Sequence, residues 1–124
     1  AAAILFDQSV RELMVLTQAL GGSAESVWGM PGVGDLYVTC QAGRNSRLGH
    51  ALGRGLTYAE AKQGPLKGET VEGAELGVAV AAGLHSMVAR GKLDAEKIPL
   101  TLALLRTLTQ GTPLDPPWPD MQRS

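Results

Sequence analysis

The densest concentration of chemically useful side chains runs from Gly32 to Arg47. Asp35 follows the turn Met30-Pro31-Gly32-Val33-Gly34, and Thr39 lies one helical turn beyond it, so both side chains can face the same way. Arg44-Asn45-Ser46-Arg47 then opens a helix. The N–H groups of a first helical turn, beside an arginine fork, form a seat for an oxyanion or a phosphate. A plainer reading competes: Asp35 and Asn45 serve only as caps, and Arg44 is only a solvated charge. Spacing alone does not separate the two. Arg47 reads as a solvated neighbour of Arg44.

Other candidates are weaker. Gly32-x-Gly34 and Gly53-x-Gly55 lack the third glycine and the preceding strand that a dinucleotide fingerprint needs. His50 and His85 have no Cys, His or carboxylate neighbours at metal-ligand spacing, so they read as surface or packing histidines and no metal site is expected. Cys40, near the end of an apolar turn, reads as a small buried hydrophobe rather than a nucleophile.

The elements that must position these residues are helical. Apolar residues recur at Ala3, Phe6, Val10, Leu13, Met14 and Leu20, the stripe of a helix with one buried face, and Gly21-Gly22 stops it. Ser23 reads as the cap of a short helix ending near Trp28-Gly29. A second short helix is expected from Asp35 through Cys40, although Tyr37-Val38-Thr39 is β-prone. Asn45 or Ser46 can cap a helix running to about Arg54. Thr57 and Glu60 match a capping box for a helix that stops at Gly64-Pro65. A long helix is expected from about Thr70 to Arg90, and another from Ile98 to Gln110 with Pro99 in its first turn. Residues 112–124 hold four prolines and are expected to be extended or disordered. No stretch keeps a strand period. The fold class is all-α, a multi-helix domain over residues 1–110 with a Pro-rich tail over 111–124.

Composition narrows the function classes. The chain has 124 residues, 44% hydrophobic and 19% charged, enough to bury a core within one domain. Eleven Lys+Arg against twelve Asp+Glu give a formal charge of −1, which argues against a coat for nucleic acid or anionic membrane. The arginines are not gathered on one basic helix face. One cysteine excludes an intramolecular disulfide scaffold. Apolar runs fall short of the roughly 18 residues a membrane helix needs, and no signal peptide is evident, so a cytoplasmic location is expected.

Taken in order, Gly32-Val33-Gly34-Asp35-Leu36, Thr39-Cys40, Gly43-Arg44-Asn45 and Val71-Glu72-Gly73 resemble the C-terminal domain of bacterial-type NAD(P)-dependent glycerol-3-phosphate dehydrogenase. The helix from Phe6 to Leu20 and Ile98-Pro99-Leu100 also fit, so the resemblance covers roughly residues 1–110. It implies a helical domain of the 6-phosphogluconate dehydrogenase-like type. The family interconverts dihydroxyacetone phosphate and sn-glycerol 3-phosphate with NAD or NADP. By resemblance, Asp35 and Thr39 are the catalytic-site pair, with Asp35 orienting the substrate hydroxyls. Gly43, Arg44 and Asn45 sit with Asp35 in the substrate site, Arg44 and Asn45 at the phosphate. Arg44, Thr70 and Glu72 fall where the family meets its cofactor.

Three departures are visible. Gly43 replaces a serine common before the Arg-Asn pair, which removes a hydroxyl contact. None of Lys62, Lys67, Lys92 and Lys97 matches the family's acid/base lysine, and no Rossmann motif is present. The resemblance therefore implies a substrate-binding half whose partners are an N-terminal Rossmann domain and a second copy, in a homodimer; alone it is expected to be inactive. The alternative is a non-catalytic helical module for dimerisation or for binding a phosphorylated metabolite.

Overall fold

The computed structural model describes residues 2–22 and 43–121. The short helices expected after Ser23 and from Asp35 to Cys40, with Asp35 and Thr39 themselves, lie outside the described residues. Among the described residues the architecture is all-α: α1 (Ala2–Ala19), α2 (Arg44–Gly53), α3 (Tyr58–Gln63), α4 (Glu72–Ala89) and α5 (Pro99–Gln110), with 3-10 turns at Ala95–Lys97 and Trp118–Asp120.

Helix ends follow local chemistry. At the C-terminus of α1, Gly22 N–H donates to Thr17 O at 2.9 Å and Gly21 N–H to Gln18 O at 3.0 Å, with Gly21 at φ 89°. The same paired bonds close α4 around Gly91 (φ 74°), where Lys92 N–H reaches Met87 O at 2.9 Å. This is the Schellman closure, which needs a residue free to take positive φ. At α3 the expected capping box is present: Glu60 N–H donates to Thr57 Oγ1 at 3.2 Å, and Thr57 N–H to Glu60 Oε1 at 2.9 Å. The Thr57 backbone N–H first, and the Thr57 side chain after it, hold the Glu60 carboxyl below the usual glutamate value.

Packing runs from helix to helix as α1–α5–α4–α2–α3. Leu48, Ala51 and Leu52 of α2, Ala61 of α3, Leu66, Val71 and Ala74 form one buried cluster, with Tyr58, Leu108 and Leu114 against it. Contact between α4 and α5 depends on a small residue. A Cβ added at Gly77 would meet Leu108 Cδ1 at 3.0 Å, so glycine lets the two helices approach. Beyond α5 the chain has no regular structure until Trp118–Asp120, and Met121 is buried.

One expectation changes here. The α1 stripe is not purely apolar: Val10 is buried, but so are Gln8 and Glu12, while Leu20 is 73% exposed beyond the last turn. The cause is the start of α5. Its N-cap, Ile98, offers no side-chain acceptor and Pro99 no donor. Glu12 supplies the cap from another helix, accepting from Leu100 N–H at 2.8 Å and Thr101 N–H at 2.6 Å, with Gln8 Nε2 donating to it at 2.6 Å. Helix α4 is apolar on more than one side. Ala74, Gly77 and Ala81 lie toward α5 and α2, while Leu76 and Val80, to one side of them, are 63% and 38% exposed.

Candidate functional site

The site is assembled by the starts of two helices. Helix α2 begins at Arg44, with Gly43 as its N-cap at φ 101° and ψ 177°. That conformation is essentially confined to glycine. The capping role expected of Asn45 or Ser46 is therefore corrected: the helix starts ahead of both, and Asn45 falls in its first turn. Gly43 has no side chain with which to cap the first-turn N–H groups, the ones that lack an intrahelical acceptor.

Freed from capping α2, the Asn45 side chain serves α4. Its Oδ1 accepts from Gly73 N–H at 3.1 Å, satisfying a donor in that helix's first turn. The approach is close enough to demand glycine. A Cβ at Gly73 would lie 2.6 Å from Asn45 Oδ1 and 3.0 Å from its Cγ. Residue 73 has a site role that spacing and composition did not reveal, because the contact joins segments 28 positions apart.

Arg44 makes the second link. Its Nη1 donates to Thr70 O at 3.0 Å, on the stretch of chain that leads into α4. Together Gly43, Arg44, Asn45, Thr70 and Glu72 line a concavity of about 270 Å³ open to solvent. Every described member of the expected site thus sits on one wall-and-floor arrangement. One guanidinium, one amide, a helix start and one carboxylate face a common space. The first three suit a phosphate. A carboxylate repels phosphate and accepts from hydroxyl or amide donors, so Glu72 marks the part of the wall that suits the rest of a ligand.

Arg47 is not a solvated bystander, as was expected. Its Nη1 donates to Glu69 Oε1 at 2.8 Å and lies 2.7 Å from Oε2, and its Nη2 donates to Pro65 O at 2.9 Å. Lys62 Nζ donates to Glu69 O. His50 and His85 are exposed, and among the described residues no three His, Cys, Asp or Glu side chains cluster as a metal site would require.

Comparison with known proteins bears on this arrangement directly. Residues 1–116 match the family described as NAD-dependent glycerol-3-phosphate dehydrogenase C-terminus. A glycerol-3-phosphate dehydrogenase (NAD(P)+) of Halorhodospira halophila is 36% identical over 117 residues, 93% of this chain and 32% of the relative. A glycosomal glycerol-3-phosphate dehydrogenase (NAD(+)) of Trypanosoma brucei brucei is 36% identical over 96 residues, 76% of this chain and 25% of that protein. An NADP(+)-dependent glycerol-3-phosphate dehydrogenase of Archaeoglobus fulgidus is 38% identical over 63 residues, 51% of this chain and 19% of that protein. No solved structure gives a significant match. The chain spans about a third or less of the length of these relatives. With the family matched across nearly all of its residues, the chain belongs to the glycerol-3-phosphate dehydrogenase C-terminal domain family.

Proposed function

We propose that this chain is the substrate-binding, catalytic helical domain of a glycerol-3-phosphate dehydrogenase, interconverting sn-glycerol 3-phosphate and dihydroxyacetone phosphate with NAD or NADP. The observation that carries the reading is the convergence of Gly43, Arg44, Asn45, Thr70 and Glu72 on one concavity. In this reading the substrate phosphate sits against Arg44, Asn45 and the start of α2. Arg44 spends one N–H on Thr70 O and keeps the rest of its fork for the ligand. Asp35 and Thr39 complete the site, the carboxylate orienting the substrate hydroxyls for proton transfer.

The size of the concavity decides what it can hold. At about 270 Å³ it falls below the roughly 300–1,000 Å³ of pockets for drug-sized ligands. A phosphorylated three-carbon molecule fits, with room for one end of a dinucleotide. Arg44, Thr70 and Glu72 would meet that end, Glu72 by accepting from a hydroxyl or amide. The dinucleotide, when bound, supplies the hydride carrier; the residues here bind and orient. A Rossmann domain would hold the remainder of the cofactor, and we place the working enzyme in the cytoplasm as a homodimer. No helix of the described residues is long and apolar enough to cross a membrane.

A second reading has its own support. Leu76 and Val80, four residues apart on one face of α4, are 63% and 38% exposed, more apolar surface than a lone helix in water favours. That face suits the Rossmann partner of the first reading, but equally a non-catalytic dimerisation or phospho-metabolite module. Calorimetric titration of glycerol 3-phosphate in the presence of NAD(P)+, with and without the separately expressed N-terminal portion of the Halorhodospira relative, separates them. The dehydrogenase reading expects tighter binding with that portion and NAD(P)H formation only in the mixture. Binding unchanged by it, with no NAD(P)H formed, favours the module.

A further inference from the structure

Three cations converge on one short stretch of backbone. The segment between α3 and α4, residues 64–71, carries Thr70 to the concavity and delivers the chain to Glu72. Arg44 donates to the carbonyl of residue 70, Arg47 to that of residue 65 and Lys62 to that of residue 69. Arg47 adds the ion pair to the Glu69 carboxylate. Leu66 and Val71 pin the same segment into the buried cluster, each with no exposed surface. Arg44 and Arg47 are three residues apart on α2, so they project from one helix face and address two points of the segment.

We propose that Arg47 is a positioning residue for this site, acting through the 64–71 segment rather than on the ligand. The proposal rests on the phosphate-binding reading above. Arg44 has two tasks in that reading, to hold Thr70 and to hold the phosphate. Arg47, at Pro65 and Glu69, and Lys62, at Glu69, relieve it of the first by holding the segment at both ends. An ion pair as exposed as Arg47–Glu69 adds little to global stability. Its effect is local: it removes openings of the segment that would carry Thr70 and Glu72 away from Arg44.

The test combines amide hydrogen exchange with glycerol 3-phosphate titration on the 124-residue chain. The amides to follow are Lys67 and Glu69, bonded to Gly64 O and Leu66 O within the segment, with Leu102, bonded to Ile98 O, as reference. Arg47→Ala should accelerate exchange at Lys67 and Glu69 without moving Leu102, and weaken glycerol 3-phosphate about tenfold, as misplacement of binding groups does. Arg47→Lys should restore part of both. Arg54→Ala, which removes the same charge from the end of α2, should change neither. Unaltered exchange in Arg47→Ala overturns the proposal, as does equal loss of binding in Arg54→Ala, which would reduce the effect to net charge. Should the unmutated chain fail to bind, the phosphate reading falls by itself. Exchange at Lys67 and Glu69 then still decides the clamp, acceleration supporting it and constancy refuting it.

Discussion

Helices α2 and α5 begin with the same deficiency and resolve it in opposite ways. Neither N-cap, Gly43 or Ile98, has a side chain that can accept from the first turn. At α5 a carboxylate from α1 closes the gap: Glu12, 2% exposed, takes two backbone N–H bonds and one from Gln8. At α2 the start of the helix lines an open concavity beside a guanidinium and an amide. The first is a finished structural joint. The second has the composition of an anion seat. A helix start is thus informative only together with what its surroundings have left undone.

The largest expected effect comes from undoing the finished joint. Glu12→Ala removes the acceptor of one buried N–H (Leu100) and one half-buried N–H (Thr101), together with one bond from Gln8. It should destabilise the fold by about 3–4 kcal/mol in urea denaturation, since each orphaned buried donor costs roughly 1–3 kcal/mol. Glu12→Gln keeps one acceptor oxygen and should cost about half as much. Neither variant should change phosphate binding in proportion to the binding-site variants.

At the open helix start the balance reverses. Arg44→Ala should leave the denaturation midpoint nearly unmoved but weaken phosphate-bearing substrate by about 2–4 kcal/mol, read as a change in Kd or kcat/KM. Arg44→Lys should recover only part, because an ammonium cannot form the bidentate fork.

Gly43→Ser, which restores the residue common in the family, sharpens the comparison further. Nothing within 4 Å obstructs a Cβ there, yet φ 101° and ψ 177° is a conformation that serine avoids. A loss of about 1–3 kcal/mol in thermal or urea unfolding is expected from backbone strain alone. The smallest effect concerns α3, whose capping box is already complete. Its Glu60 carboxyl is held below the usual glutamate value, so its contribution is present above that value. The contribution is lost as pH falls through the lowered one. The Thr57 amide shift should therefore move in the acid range, and Glu60→Gln should abolish that movement.

These differences mark what could be read in the sequence. Local signals carried the helices: Thr57 with Glu60 is a capping box whatever surrounds it, and Gly21 and Gly91 close helices by their own backbone. Arg44 and Asn45 were legible as a candidate anion seat at a helix start. Their meeting with Thr70 and Glu72 was legible only through the ordered motif set, because it depends on how α2 lies beside α4. The contacts made by Arg47, Glu12 and Gly73 were not foreseen, for a common reason. Each acts on a partner at least 18 positions away, where helical periodicity has no reach. A signal existed for Glu12: an Ile98-Pro99 helix start with no capping side chain requires an acceptor from elsewhere.

The central claim is that the start of α2, unlike that of α5, receives the substrate phosphate. Amide chemical shifts followed during titration with glycerol 3-phosphate, and with glycerol as control, test it most directly. Glycerol 3-phosphate should shift the amides of Arg44, Asn45 and Gly73 and leave Leu100 and Thr101 in place, and glycerol should shift none of them. Silence at Arg44 and Asn45, or shifts of equal size at Leu100 and Thr101, would contradict it.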